Sequence, residues 1–180
     1  MTRPVPAATL FALVLAGLFP ACTHRASADE MAAVERMIQI NDSMRSELES
    51  ADTNALRHMH SLFEAERPAI EARFKDTLLP HEAEVLGNYH ATMSRRLPLL
   101  LDARAAELAR LDSAALRLRD LRHDMESGLM NKEHRNRAIQ TEKHWGTMLR
   151  STLDSLSLRT QDLLSDRRTL RAAIDSLLRP

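Results

Sequence analysis

Residues 149–178 read LRSTLDSLSLRTQDLLSDRRTLRAAIDSLL, and their spacing decides the fold class. Stepping alternately by four and three from Leu149 lands on Leu153, Leu156, Thr160, Leu163, Arg167, Leu170, Ile174 and Leu177, so seven of the nine positions are apolar. That rhythm holds one stripe of a helix against a partner helix. Thr160 and Arg167 interrupt the seam; a polar residue there can fix register, and an arginine can lay its stem on apolar surface with its head in water.

The same device runs through Leu101, Leu108, Leu111, Ala115, Leu118 and Met125, and less regularly through Met31, Val34, Ile38, Leu48, Ala55, Met59 and Leu62. Between residue 29 and the end the chain is dominated by Leu, Ala, Arg, Glu, Asp and Met, with only Gly87, Gly128 and Gly146 as glycines. Strong helix formers with few breakers, and no stretch that alternates apolar with polar, predict an all-α protein.

Breakers divide the stripes. Ser127-Gly128 followed by Asn131 and Glu133 is a helix stop and a new start cap, placing a turn at 128–131. Pro80 suits the first turn of a helix, placing another turn near 79–81. The arms so defined, 30–79, 81–127 and 131–178, have 50, 47 and 48 residues. At about 1.5 Å per residue each reaches roughly 70 Å, which predicts one domain, 30–180, built as an elongated, coiled-coil-like, antiparallel up-down-up bundle of about three long helices. Pro68 and Pro98 fall inside arms and are expected to kink or split them, and Asp52-Thr53-Asn54 can start a further helix, giving four or five shorter ones.

The other end of the chain carries an address. Met1-Thr2-Arg3 precedes an apolar stretch, Ala7 to Phe19, and then Pro20-Ala21-Cys22. The run of about 13 residues is too short to span a bilayer as a helix and has the plan of a secretory signal. Cys22, the single cysteine of 180 residues, directly follows it. This stretch resembles the bacterial lipobox, with Ala21 in the small position before the cysteine and Phe19 and Pro20 departing from its usual occupants. The resemblance implies a signal peptide 1–21, acylation of Cys22, a tether 22–29, and a small envelope lipoprotein anchored in the membrane. Thr23 follows the cysteine, and the absence of Asp at that position implies by the same resemblance the outer membrane, facing the periplasm. The rival is a cut after Ala26-Ser27-Ala28, which releases a soluble secreted or periplasmic protein starting at Asp29.

Loss of Arg3 from the 25 basic residues leaves 24 against 25 acidic ones, a formal net charge of −1 for the mature chain. That balance gives no reason to expect nucleic acid as a partner. With Cys22 acylated no thiol is left for a disulfide, so the core alone must hold the fold. The chain ends Leu177-Leu178-Arg179-Pro180, without the terminal lysine through which murein-linked lipoproteins are joined to the wall, so covalent attachment is not expected.

Enzymatic chemistry is not expected either, since there is no G-x-S-x-G, no glycine-rich phosphate loop and no spare thiol. No cofactor is implied. Glu82 with Glu84, and Glu64 with Glu66, lie two apart and read as solvated face charges. Eight histidines are present, but no H-E-x-x-H and no E-x-x-H. A zinc or copper site from His58, His60, Glu64, His81 and His90, serving a periplasmic metal-binding or stress-sensing module, needs the first two arms to bend near Pro68. The plainer reading is boundary histidines paired with glutamates along helix faces. The methionines read as core filler. Trp145, followed by Gly146, is the most unusual local feature. The expected arrangement has Trp145 packed across the bundle and Gly146 making room for another arm; the alternative makes Trp145 a surface hot spot for a partner protein. The function read from the sequence is a membrane-anchored scaffold, spacer or interaction module, engaging another envelope protein or further copies of itself.

Overall fold

The computed structural model describes residues 25–50, 53–75 and 77–178, and these form helices joined by short turns. The signal segment 1–21, Cys22, Thr23 and Asp52 lie outside the described residues. The elements are α1 (Ala28–Ser50), α2 (Thr53–Arg73), α3 (Pro80–Ala91), a π-helical segment (Thr92–Arg96), α4 (Leu97–Glu126) and α5 (Lys132–Leu177). The first two make one arm, α3 through α4 the returning arm, and α5 the third, so the chain is an all-α, up-down-up bundle. Contacts of α1 with α4 and α5, and of α3 with α5, close the three arms on one another.

Each boundary has a local chemical cause. Ser27 caps α1: its hydroxyl accepts from the Glu30 amide at 3.2 Å, while the Glu30 carboxylate accepts from the Ser27 amide at 2.8 Å. The helix therefore begins at Ala28, inside the segment read as tether. At the 79–81 turn Pro80 stands in the first turn of α3, and Glu82 accepts from the Leu79 amide at 2.8 Å. Gly128 adopts φ 66°, the Leu129 amide donates to Asp124 O at 3.0 Å and the Gly128 amide to Met125 O at 3.3 Å. This reciprocal pair closes α4, and three residues later the Asn131 side chain accepts from the His134 amide at 2.9 Å to open α5.

The two internal prolines behave differently. Pro68 leaves α2 unbroken, because it lies on the exposed face, where the carbonyl that its ring deprives of a donor turns to water. Pro98 sits in the first turn of α4 directly after the π-helical segment, where the Leu97 amide reaches back five residues to Thr92 O. The wider turn absorbs the hydrogen bond that Pro98 cannot make.

The seam of the returning arm differs from the one counted by apolar residues. Leu97, Leu100, Arg104, Glu107, Leu111, Ala114, Leu118, Leu121 and Met125 are buried, in strict steps of three and four, whereas Leu101, Leu108 and Ala115 are only partly so. Arg104 and Glu107 hold seam positions despite their charge. In the first arm Val34, Asn41, Met44 and Leu48 are buried and Ala55 is exposed. The α5 seam follows expectation, with Leu149, Leu153, Leu156, Thr160, Leu163 and Ile174 buried.

The core falls into three clusters along the axis. Val34, Leu121, Met125 and Ile139 fill the end beside the 128–131 turn. Phe63, Tyr89, Met93, Leu97, Leu156 and Leu163 belong to the larger cluster at the opposite end. Between them stands a thinner group, Met44, Leu48, Leu111, Ala114, Leu149 and Leu153. Arg45 with Asp112, Arg150 with Glu47, and Arg122 with Glu35 bridge the arms across the surface. Half-exposed pairs of this kind are worth about 0–1 kcal/mol each, so they favour one register more than they add stability.

Candidate functional site

The thin middle of the bundle is where the surface departs from a closed helix pack. Steps of three and four back from Leu149 reach Gly146, Glu142 and Ile139, so Gly146 and Glu142 occupy seam positions of α5. Gly146 fills none of the space a seam residue normally fills: a Cβ built on it meets nothing within 4 Å. Glu142 turns to α4 instead, its side chain only 11% exposed, and its two oxygens accept from Arg117 at 2.9 and 3.2 Å. The expected close approach of another arm at Gly146 is therefore absent, and the glycine opens a cleft rather than permitting contact.

Trp145, one residue from the seam, does not pack across the bundle. It is 51% exposed, and Met148, one turn on, is likewise 51% exposed. The reason is angular: with Gly146 and Leu149 directed at the bundle axis, Trp145 and Met148 fall on the flank facing α4. There they line a cleft of about 580 Å³ with Glu107, Arg110, Ser113 and Arg117. Glu107 is 1% exposed; its Oε2 accepts from Arg110 at 3.1 Å, while its Oε1 is buried with no partner. The cleft thus combines apolar walls with a buried acceptor that lacks a donor.

The histidines proposed as metal ligands are not brought together. His58 and His81 are exposed, His60 is partly buried, and Glu64 pairs with Arg67 at 3.6 Å. His90 instead stands edge-on to two rings, with centroids 5.8 Å from Phe63 and 5.7 Å from Phe74. Among the described residues no three His, Cys, Asp or Glu side chains form a metal-ligating group. The bend near Pro68 that would have gathered them does not break α2, and Phe63 and Phe74 take His90 into an aromatic contact. The zinc or copper reading loses its geometry.

Two polar centres sequence counting did not find are structural. In one, Arg104 donates to Leu48 O at 2.6 Å, to Thr53 Oγ1 at 2.8 Å and to Thr160 Oγ1 at 3.4 Å, tying all three arms where α1 gives way to α2. In the other, Glu66 accepts from the Tyr89 hydroxyl at 3.1 Å and from Arg171 at 2.9 Å. Burial, helped by the Glu66 charge, raises the Tyr89 phenol above its ordinary range. Burial works against the charge on Arg171, but hydrogen bonds to Glu66 and Asp175 outweigh it and raise its pKa.

Comparisons with protein-family models, with curated proteins and with solved structures find no match for the chain. Among the described residues no helix is long and apolar enough to cross a membrane.

Proposed function

We propose that the chain is a membrane-anchored envelope lipoprotein with no catalytic role, whose bundle acts as a spacer and presents the Trp145 face to another envelope protein. The observation that carries this reading is the half-exposed pair Trp145 and Met148 beside an apolar cleft. Tryptophan is enriched among residues that dominate binding energy, and the single tryptophan of this chain stands half in water beside an apolar neighbour.

Anchoring through Cys22 is supported by the start of α1. A cut after Ala28 would remove Ser27 and its reciprocal cap, together with Ala26, which packs on the cluster of Val34 and Met125. A cut before Cys22 keeps both. Glu30 also pairs with Arg135 at 3.3 Å, so α1 starts beside the 128–131 turn. A lipid on Cys22 would hold that end near the bilayer, and the α2–α3 turn would stand about 70 Å away.

The test expresses the full chain in a Gram-negative bacterium. Cys22→Ala is expected to leave an unprocessed precursor of higher mass; normal maturation at Asp29 would overturn the anchor. Capture of envelope proteins by the wild-type chain and by Trp145→Ala tests the face, and an unchanged set of partners overturns it.

A further inference from the structure

On the other side of α5 the missing side chain of Gly146 opens a second cleft, of about 660 Å³, between α1, α4 and α5. At this level each arm contributes a seam residue that is small or polar: Asn41 from α1, Ala114 from α4 and Gly146 from α5. Three such residues at one level leave a hole where a bundle normally interlocks leucines. The hole is not the by-product of helix geometry. Glycine inside a helix is disfavoured relative to alanine, and no neighbour needs the space, since an added Cβ touches nothing.

The walls are Met37, Ile40, Met44, Leu118 and Leu149, and Ile40 is 54% exposed at the mouth. Flexible methionines suit a site that closes on a chain of variable shape. One polar feature points to the occupant. Asn41 is 3% exposed and is committed to the fold, its Nδ2 donating to Leu111 O at 3.1 Å. Of the charges at the rim, Glu142 is held by Arg117, and Arg150 by Glu47 and Asp154. Lys143 also lines the rim and makes no ion pair among the described residues. The volume of about 660 Å³ lies in the range of small-ligand sites and suits one chain rather than two.

We propose that this cleft binds a single-chain anionic amphiphile, a free fatty-acid-type carboxylate. The carboxylate pairs with Lys143, and the chain lies on the methionine and leucine walls. This site is separate from the Trp145 face and does not depend on it.

The test uses the full chain in membrane vesicles and a photoactivatable twelve-carbon fatty acid. Crosslinks are expected within residues 37–44 and 146–150. Dodecanoate should compete. Dodecyltrimethylammonium should compete at least tenfold worse than dodecanoate, and added phosphatidylglycerol should not displace the probe. Gly146→Phe fills the hole and should abolish the crosslink, while Gly146→Ala, which meets nothing, should keep it. Lys143→Gln should remove only the preference for an anion. Crosslinking that survives Gly146→Phe, equal competition by the cationic amphiphile, or displacement by the phospholipid would each overturn the proposal.

Discussion

Arg104 reaches from the first third of α4 to donate to the Leu48 carbonyl at 2.6 Å, in the last turn of α1. Helix ends leave carbonyls without partners, and here a buried guanidinium from another arm supplies the donor. The same side chain holds Thr53 Oγ1 at the start of α2 and Thr160 Oγ1 in α5. Arg104→Met keeps much of the stem but orphans these acceptors, and the expected loss is about 2–4 kcal/mol in urea unfolding. Arg167→Met, at a partly buried seam position, is the control and should stay within about 0.5 kcal/mol. Equal effects of the two would mean that Arg104 does not join the three arms.

Gly146→Ala should stabilise the chain. The helix gains the propensity difference, about 1 kcal/mol, and the new methyl meets nothing within 4 Å. Thermal or urea unfolding reads it directly. A destabilised variant would mean that the arms do approach at Gly146, as the sequence alone suggests.

The turns and the three arms were legible because their signals are local. Gly128 with Asn131, and Pro80 with Glu82, each act within one turn of backbone. The α5 seam was legible because its apolar residues rarely miss a step. The α4 seam was not, because counting apolar residues steps over Arg104 and Glu107, which hold seam positions through partners on other arms or neighbouring turns. The candidate site was half legible. Trp145 and Gly146 stand out by type, but whether glycine admits a neighbour or leaves a hole depends on Asn41 and Ala114, far away in sequence and level with it only after folding. The histidines misled for a related reason: spacing along two arms says nothing of the rings, Phe63 and Phe74, that claim His90.

Glu107→Met is expected to be neutral or to raise stability by about 1 kcal/mol. Its carboxylate is almost fully buried, one oxygen has no partner, and its partner Arg110 is exposed and is left in water by the change. The urea midpoint of the variant against wild type decides. A loss above about 2 kcal/mol would show that Glu107 holds the α4–α5 contact together.

Stability should fall on the acid side through Glu30. The Ser27 backbone hydrogen bond holds its carboxyl below the ordinary 4.5, against some loss from burial, and Arg135 adds to the effect. A depressed folded pKa gives stability that is complete above about pH 4.5 and fades as the pH drops through the folded value. Glu30→Gln should therefore melt below wild type at pH 7, with the gap narrowing below pH 4.5. Tyr89 gives the opposite limb: its phenol is raised above 10.0 in the fold, so its contribution is complete below pH 10 and fades above it. A gap for Glu30→Gln that is constant from pH 7 to pH 3 would remove Glu30 from the cap.

Trp145→Ala separates a binding residue from a packing one. Were Trp145 a core side chain, its truncation would cost about 3–5 kcal/mol through the cavity left behind. At 51% exposed, on the flank of α5 rather than its seam, it should cost no more than about 0.5–1 kcal/mol. The same substitution removes the aromatic wall of the α4–α5 cleft and should weaken capture of a partner at least tenfold, the scale of an interface hot spot. Met148→Ala, equally exposed and one turn away, should act in the same direction with a smaller effect. Stability by unfolding and capture by pull-down are measured on the same preparations. Loss of both together would return Trp145 to the core; retention of both would leave the exposed face without the role assigned to it.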